Sequence, residues 1–212
     1  MRMKVRIWID NGHGANTPGK HSPDFRLREY LWCREVAAAV VDGLKADGYD
    51  AELLVPETWD VSIKSRCNRV NRTCVERGAR NVLLVSIHNN ATPPDDGQWH
   101  NASYWSAWAY RQEFKDSNGK VIRVKEASLE SKRLATIFTQ AARERGWKVG
   151  VGVHDYKEAN FGILRESLCP AVLTENFFQD NRKDVDWLLS PEGKTSIALL
   201  HIHAIEKYVN EL

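Results

Sequence analysis

The 212-residue chain has no apolar run near the roughly 20 residues that a membrane-crossing helix needs. A bilayer is therefore not an expected partner. It also lacks an excess of charge of one sign: Lys+Arg 30 against Asp+Glu 28 leaves a formal +2, which argues against nucleic acid. Cysteine is scarce. Cys33, Cys67, Cys74 and Cys169 form no Cys-x-x-Cys pair, which excludes a zinc ribbon or a redox dithiol. Cys67 and Cys74 lie on a predicted helix whose rise of about 1.5 Å per residue sets their Cα atoms about 10 Å apart, beyond disulfide reach. All four read as buried free thiols. There is no internal repeat, no low-complexity tract and no linker. A His-Glu-x-x-His helix is missing too, so any metal site must be assembled by the fold. Finally, Met1-Arg2-Met3-Lys4 runs straight into an apolar segment without the pattern of an export leader, so synthesis in the cytoplasm is the expectation.

What is present suits one globular domain over residues 1–212: hydrophobic residues make up 42% and charged residues 27%. Val5-Arg6-Ile7-Trp8-Ile9 reads as a first strand, closed by the turn Asn11-Gly12-His13-Gly14. From Arg26 to Asp47, apolar residues recur at three- and four-residue spacing, which predicts a helix ended by Gly48. Ala51 to Val55 predicts a second strand, and Ile63 to Arg77 a second helix stopped at Gly78. Val82 to Ile87 is apolar except for Ser86, as expected of a central strand covered on both faces. A helix over Leu129–Arg145, a short strand over Ala171–Thr174 and a last helix opened by Ser190-Pro191 complete the order. Strands alternating with helices predict an α/β three-layer sandwich, a twisted and mostly parallel sheet with helices on both faces.

Residues 92–127 break that regularity. Asn118-Gly119 between strand-like flanks predicts a hairpin turn, and Tyr104, Trp108, Tyr110 and Phe114 share one strand parity. Such an inserted aromatic hairpin either packs on its own sheet or forms a rim for sugar rings or peptide.

Three predicted strands end in groups that bind metal or move protons: His13, His88 and Glu175. In open α/β sheets, ligands sit outside the carboxyl ends of the strands. Glu29 joins them, because it precedes Cys33 by four and Val36 by seven on the buried face of its helix. A carboxylate there can complement the helix dipole. With His13 and His88 nearby, a zinc site of two imidazoles and one carboxylate accounts for it better. His201 and His203, two apart on a helix, face different ways and cannot chelate together.

At these residues the sequence resembles the zinc-dependent N-acetylmuramoyl-L-alanine amidases of the type-3 amidase family. Ile9-Asp10-Asn11-Gly12-His13-Gly14 is similar to the family's Asp-Pro-Gly-His-Gly opening, with Asn11 in place of proline. Glu29, with Gly48-Tyr49 following it, stands where the family has its second metal ligand. Ser86-Ile87-His88-Asn89-Asn90-Ala91 matches the third-ligand motif at every position. Leu164-Arg165 and then Pro170 to Phe178 resemble the segment with the catalytic glutamate. Two features depart from the pattern. Asn176-Phe177-Phe178 stands where members often carry a glycine, and the 92–127 stretch, with Gly97-Gln98-Trp99-His100-Asn101-Ala102, is longer and more aromatic than in minimal members.

The resemblance implies an enzyme that hydrolyses the amide between N-acetylmuramic acid and L-alanine in bacterial peptidoglycan. It implies one zinc ion held by His13, Glu29 and His88 with a position left for water, and Glu175 as base and then acid. Arg165 would bind a stem-peptide carboxylate or orient Glu175, or else form an ordinary surface ion pair. Asn89 and Asn90 would donate to substrate or to the ligands. Two competing readings share the fold: a catalytically silent peptidoglycan-binding module, and a zinc hydrolase of soluble muropeptides. Without a leader, the enzyme would reach the wall after release, as an endolysin does, or through a partner's export.

Overall fold

Alternating β-branched and amphipathic segments set the order of elements in the computed structural model, which describes residues 4–94 and 96–212. The first half holds β1 (Arg6–Asn11), α1 (Glu29–Ala46), β2 (Asp50–Leu53), α2 (Ile63–Arg77) and β3 (Val82–Asn90). Next come β4 (Trp105–Lys115), β5 (Val121–Glu126), α3 (Leu129–Glu144) and β6 (Lys157–Ala159). The chain ends with α4 (Gly162–Glu166), β7 (Ala171–Phe178), α5 (Arg182–Leu189) and α6 (Pro191–Asn210).

The strands form one sheet in the order β2-β1-β3-β7-β4-β5, with β6 paired to β4. β2, β1, β3 and β7 run parallel, and β4 lies antiparallel to β7. On β3 the side chains alternate between two cores. Leu83, Val85 and Ile87 pack with α1, α3 and α6, whereas Val82 and Leu84 pack with α2 and α4. This is the predicted three-layer α/β sandwich. Serines cap its helices as the sequence suggests: Ser62, Ser128 and Ser190 each accept a backbone N–H from the first turn of α2, α3 and α6.

α1 begins at Glu29, three residues later than periodicity alone predicts, because Arg26 to Arg28 are drawn into a small hairpin. There Ser22 N–H donates to the Leu27 carbonyl and Leu27 N–H to Ser22 Oγ, while His21 bridges Arg28. β3 and β7 run past their predicted ends, to Asn90 and Phe178, and carry His88 and Glu175 within paired strand. The Asn118-Gly119 turn is present, with Gly119 at φ +80° and the Asp116 carboxylate accepting from Asn118 and Lys120. The first half of that hairpin is a strand of the main sheet, and its outer part pairs with β5, whose residues are all exposed. Two of its tryptophans pack against the flanking layers: Trp105 is buried parallel to Phe138 of α3, and Trp108 meets Phe161 at the start of α4 edge to face. Among the described residues, no helix is long and apolar enough to cross a membrane.

Candidate metal centre and active site

β1, β3 and β7 lie side by side, so their carboxyl ends bring His13, His88 and Glu175 to one edge of the sheet. His13 follows β1 in the left-handed region at φ +59°, an uncommon state for a side-chain-bearing residue. The glycines beside it allow this by close approach. A Cβ on Gly12 would sit 2.5 Å from the His88 ring, and one on Gly14 would sit 2.0 Å from the Asp60 backbone. Two guanidinium groups then grip the His13 carbonyl: Arg66 at 3.1 Å and Arg34 at 3.3 Å.

Arg66 is itself buried, donating to Asp10 Oδ1 at 2.7 Å and to the Asn11 carbonyl at 2.8 Å. Ser86 completes the buried acid's bonds through Asp10 Oδ2 at 2.6 Å. Composition and spacing had not pointed to Arg34 or Arg66. The available signal was an arginine four residues before Val70, on the apolar face of α2.

The first turn of α1 delivers Glu29 to the same place. Its Oε1 lies 3.1 Å from His88 Nδ1 and 3.3 Å from His13 Nε2, and it accepts the Asn89 N–H at 3.0 Å. His13 Nε2 and His88 Nδ1 are 3.3 Å apart. One ligand atom from each of the three residues lies within 4.8 Å of the others. Glu29 is 1% exposed, and its second oxygen is sealed from solvent without a hydrogen-bond partner. Burial by itself would raise its carboxyl. The imidazoles of His13 and then His88 outweigh that and hold it well below the usual carboxylate range. Two imidazole nitrogens, a carboxylate and an orphaned buried oxygen form a donor set that suits zinc.

Glu175 stands opposite His88 in the β3–β7 register. It is half-buried, yet its Oε2 is closed off without a partner. Burial pushes its carboxyl well above the usual range, and the Glu29 carboxylate adds to this, against Lys20 and Lys157. Asn176, the next residue, ties the strands together. Its amide donates to the His88 carbonyl at 2.9 Å, and its Oδ1 accepts the Trp105 indole N–H at 2.7 Å. Phe177 then adopts φ +58°, the left-handed turn a glycine makes without strain, and its ring lies against Trp147 and Trp187.

The remaining candidate residues take different positions. Asn89 is buried and donates through Nδ2 to the Asn176 carbonyl at 2.9 Å, with its own Oδ1 unpartnered. Asn90 is half-buried, and its Oδ1 accepts the Ala91 N–H. Arg165 is exposed and paired, at 2.7 Å with Asn160 Oδ1 and 2.8 Å with Glu166 Oε1.

The Amidase_3 family, described as N-acetylmuramoyl-L-alanine amidase, matches residues 7–207. The chain belongs to this family. It is an enzyme, a peptidoglycan amidase that hydrolyses the N-acetylmuramoyl-L-alanine bond. Among curated relatives it is similar to the endolysin of Bacillus phage SPP1, 24% identical over 208 residues that make up 98% of this chain and 67% of that protein. It is also similar to N-acetylmuramoyl-L-alanine amidase CwlM of Bacillus licheniformis, 27% identical over 97% of this chain and 69% of the relative. The chain thus spans about two thirds of the length of these relatives. The crystal structure of N-acetylmuramoyl-L-alanine amidase from Clostridium difficile 630 superposes with a TM-score of 0.72 over 98% of both chains at 22% identity, a likeness of fold.

Proposed function

We propose that this amidase is zinc-dependent, with His13, Glu29 and His88 holding one ion and Glu175 moving the protons. The observation that carries the reading is the convergence of the three ligand atoms within 4.8 Å, opposite a strand that presents Glu175. Bound there, zinc supplies Lewis acidity, polarising the scissile carbonyl and easing removal of a proton from water.

The protein's own groups do the rest. Glu175 accepts a proton from the attacking water at its carboxylate and returns it to the departing amide nitrogen, so one carboxyl serves both transfers. Asn89, through its backbone N–H, keeps Glu29 Oε1 turned toward the imidazoles. Arg34 and Arg66 hold the His13 backbone, and Asn176 the His88 backbone, so neither ring can swing away on its own chain segment. Asn90 lies at the end of β3 beside these groups and is a candidate donor to substrate. Arg165 reaches a substrate carboxylate only by exchanging its bond to Glu166. The substrate is the junction of glycan strand and stem peptide.

The test uses purified cell walls and counts the amino termini released. A strong chelator is expected to abolish release and zinc add-back to restore it. Glu175→Ala is expected to keep its zinc and lose about 100- to 10,000-fold in turnover. Release that continues in excess chelator would remove zinc from the mechanism.

A further inference from the structure

Lys157 lies beside the site with no carboxylate within ion-pair distance among the described residues, although its charge acts on Glu175 from further away. Lys157 on β6 pairs with Trp108 of β4, two residues along from Ser106, which pairs with Glu175. Paired residues point to the same face, as do residues two apart on a strand, so Lys157, Trp108, Ser106 and Glu175 share one face of the sheet. Strand spacings place the Lys157 and Glu175 backbones about 12 Å apart.

The Lys157 ammonium lies 4.7 Å from the centre of the Tyr104 ring and 4.9 Å from that of Trp108, and donates to Tyr104 Oη at 2.9 Å. Both rings are themselves fixed. Tyr104 packs against Phe178 and so closely over Gly150 that a Cβ there would lie 2.4 Å from the ring; Trp108 donates to Ser106 Oγ and meets Phe161. Lys157 is half-buried and forms no ion pair among the described residues, while its neighbour Glu158 faces Arg111. The contrast with Arg165 is direct, since that guanidinium already has Glu166.

An ammonium flanked by two aromatic faces has exchanged part of its hydration for weaker cation–π contacts, and two of its three N–H bonds remain unused. A carboxylate gains most from such a group. We propose that Lys157 is the specificity residue for the peptide side of the substrate, binding a carboxylate borne two or three residues beyond the scissile amide. The distance follows from an extended peptide advancing about 3.4 Å per residue from Glu175. This inference rests on the amidase reading of the same site.

Two synthetic muramoyl-L-alanyl peptides test it, identical except that the residue after alanine carries a free carboxylate in one and a carboxamide in the other. The wild-type enzyme is expected to prefer the carboxylate by about tenfold or more in kcat/KM, with the difference lying in KM. Lys157→Gln should erase that preference, and Lys157→Arg should keep most of it. The preference is a ratio measured on one preparation, so a partly unfolded variant still reports it. Equal loss on both peptides in Lys157→Gln, or no preference in the wild type, would overturn the assignment of Lys157 alone. Failure of the zinc-loaded wild type to cleave either peptide would overturn the amidase reading with it.

Discussion

Thr174 and Glu175 are neighbours on β7, and each faces a histidine cluster of the opposite kind. On the α6 side, His201 is fully buried and its hydrogen bonds are complete. Nδ1–H donates to the Ile197 carbonyl at 2.8 Å, and Nε2 accepts the Thr174 hydroxyl at 2.9 Å. On the other side, His13 and His88 crowd a carboxylate whose second oxygen has no partner, and Glu175 shows the same deficit. Both clusters are polar and enclosed. They differ in satisfaction: both nitrogens of the His201 ring are bonded, whereas around the second, Glu29 Oε2 and Glu175 Oε2 are enclosed without partners. A buried histidine with complete bonds holds the fold, and one among orphaned acceptors is built for something that binds.

The sharpest break in that comparison is to delete one histidine from each side. His88→Ala is expected to lose both bound zinc and amidase activity, whereas His201→Ala keeps the zinc and loses stability. Metal content by atomic absorption, measured beside thermal melts, checks this. Retention of stoichiometric zinc by His88→Ala would dissolve the distinction.

A smaller effect is expected from the support beneath His13. Arg66→Met takes from buried Asp10 its charged partner and from the His13 carbonyl one of its two guanidinium donors, and should cost about 3–5 kcal/mol in urea unfolding.

The smallest effect concerns acid. Burial holds the His201 imidazole neutral and pushes its pKa down to about 4. The unfolded side chain titrates near 6.5, so as pH falls the unfolded chain takes up the proton first. The stability tied to His201 is therefore fully present above about 6.5 and drains as pH falls toward 4, by at most roughly 3 kcal/mol. His201→Gln should flatten that part of the stability–pH curve; an unchanged slope would show that other groups set it.

Much of this was legible in the residues. The apolar runs that stop at or shortly before His13, His88 and Glu175 mark the carboxyl ends of their strands, although β3 and β7 continue past His88 and Glu175, and the phase of α1 places Glu29 on its buried side. Short elements were not legible. β6 has 3 residues and α4 has 5, too few for any period to emerge, and both are held by contacts with strands far away in sequence. Lys157 lies on the first of these, so its aromatic slot could not be seen before β4 was paired. At the glycine departure after Glu175, Phe177 takes a left-handed backbone while its ring lies against Trp147 and Trp187. The arginines beneath His13 were hidden for another reason: a charged residue on an apolar helix face has no visible partner until the fold supplies Asp10.

The crossing of 59 residues between Glu29 and His88, and of 75 between His13 and His88, has a further meaning. His13 and Glu29 stand near one another in sequence, but the third ligand comes from β3 and joins them only when that strand pairs with β1. The complete three-ligand set therefore exists only once β1, α1 and β3 have come together. On the zinc reading proposed above, full occupancy of the site counts folded molecules, and a chain whose β3 has not yet paired with β1 carries no complete site.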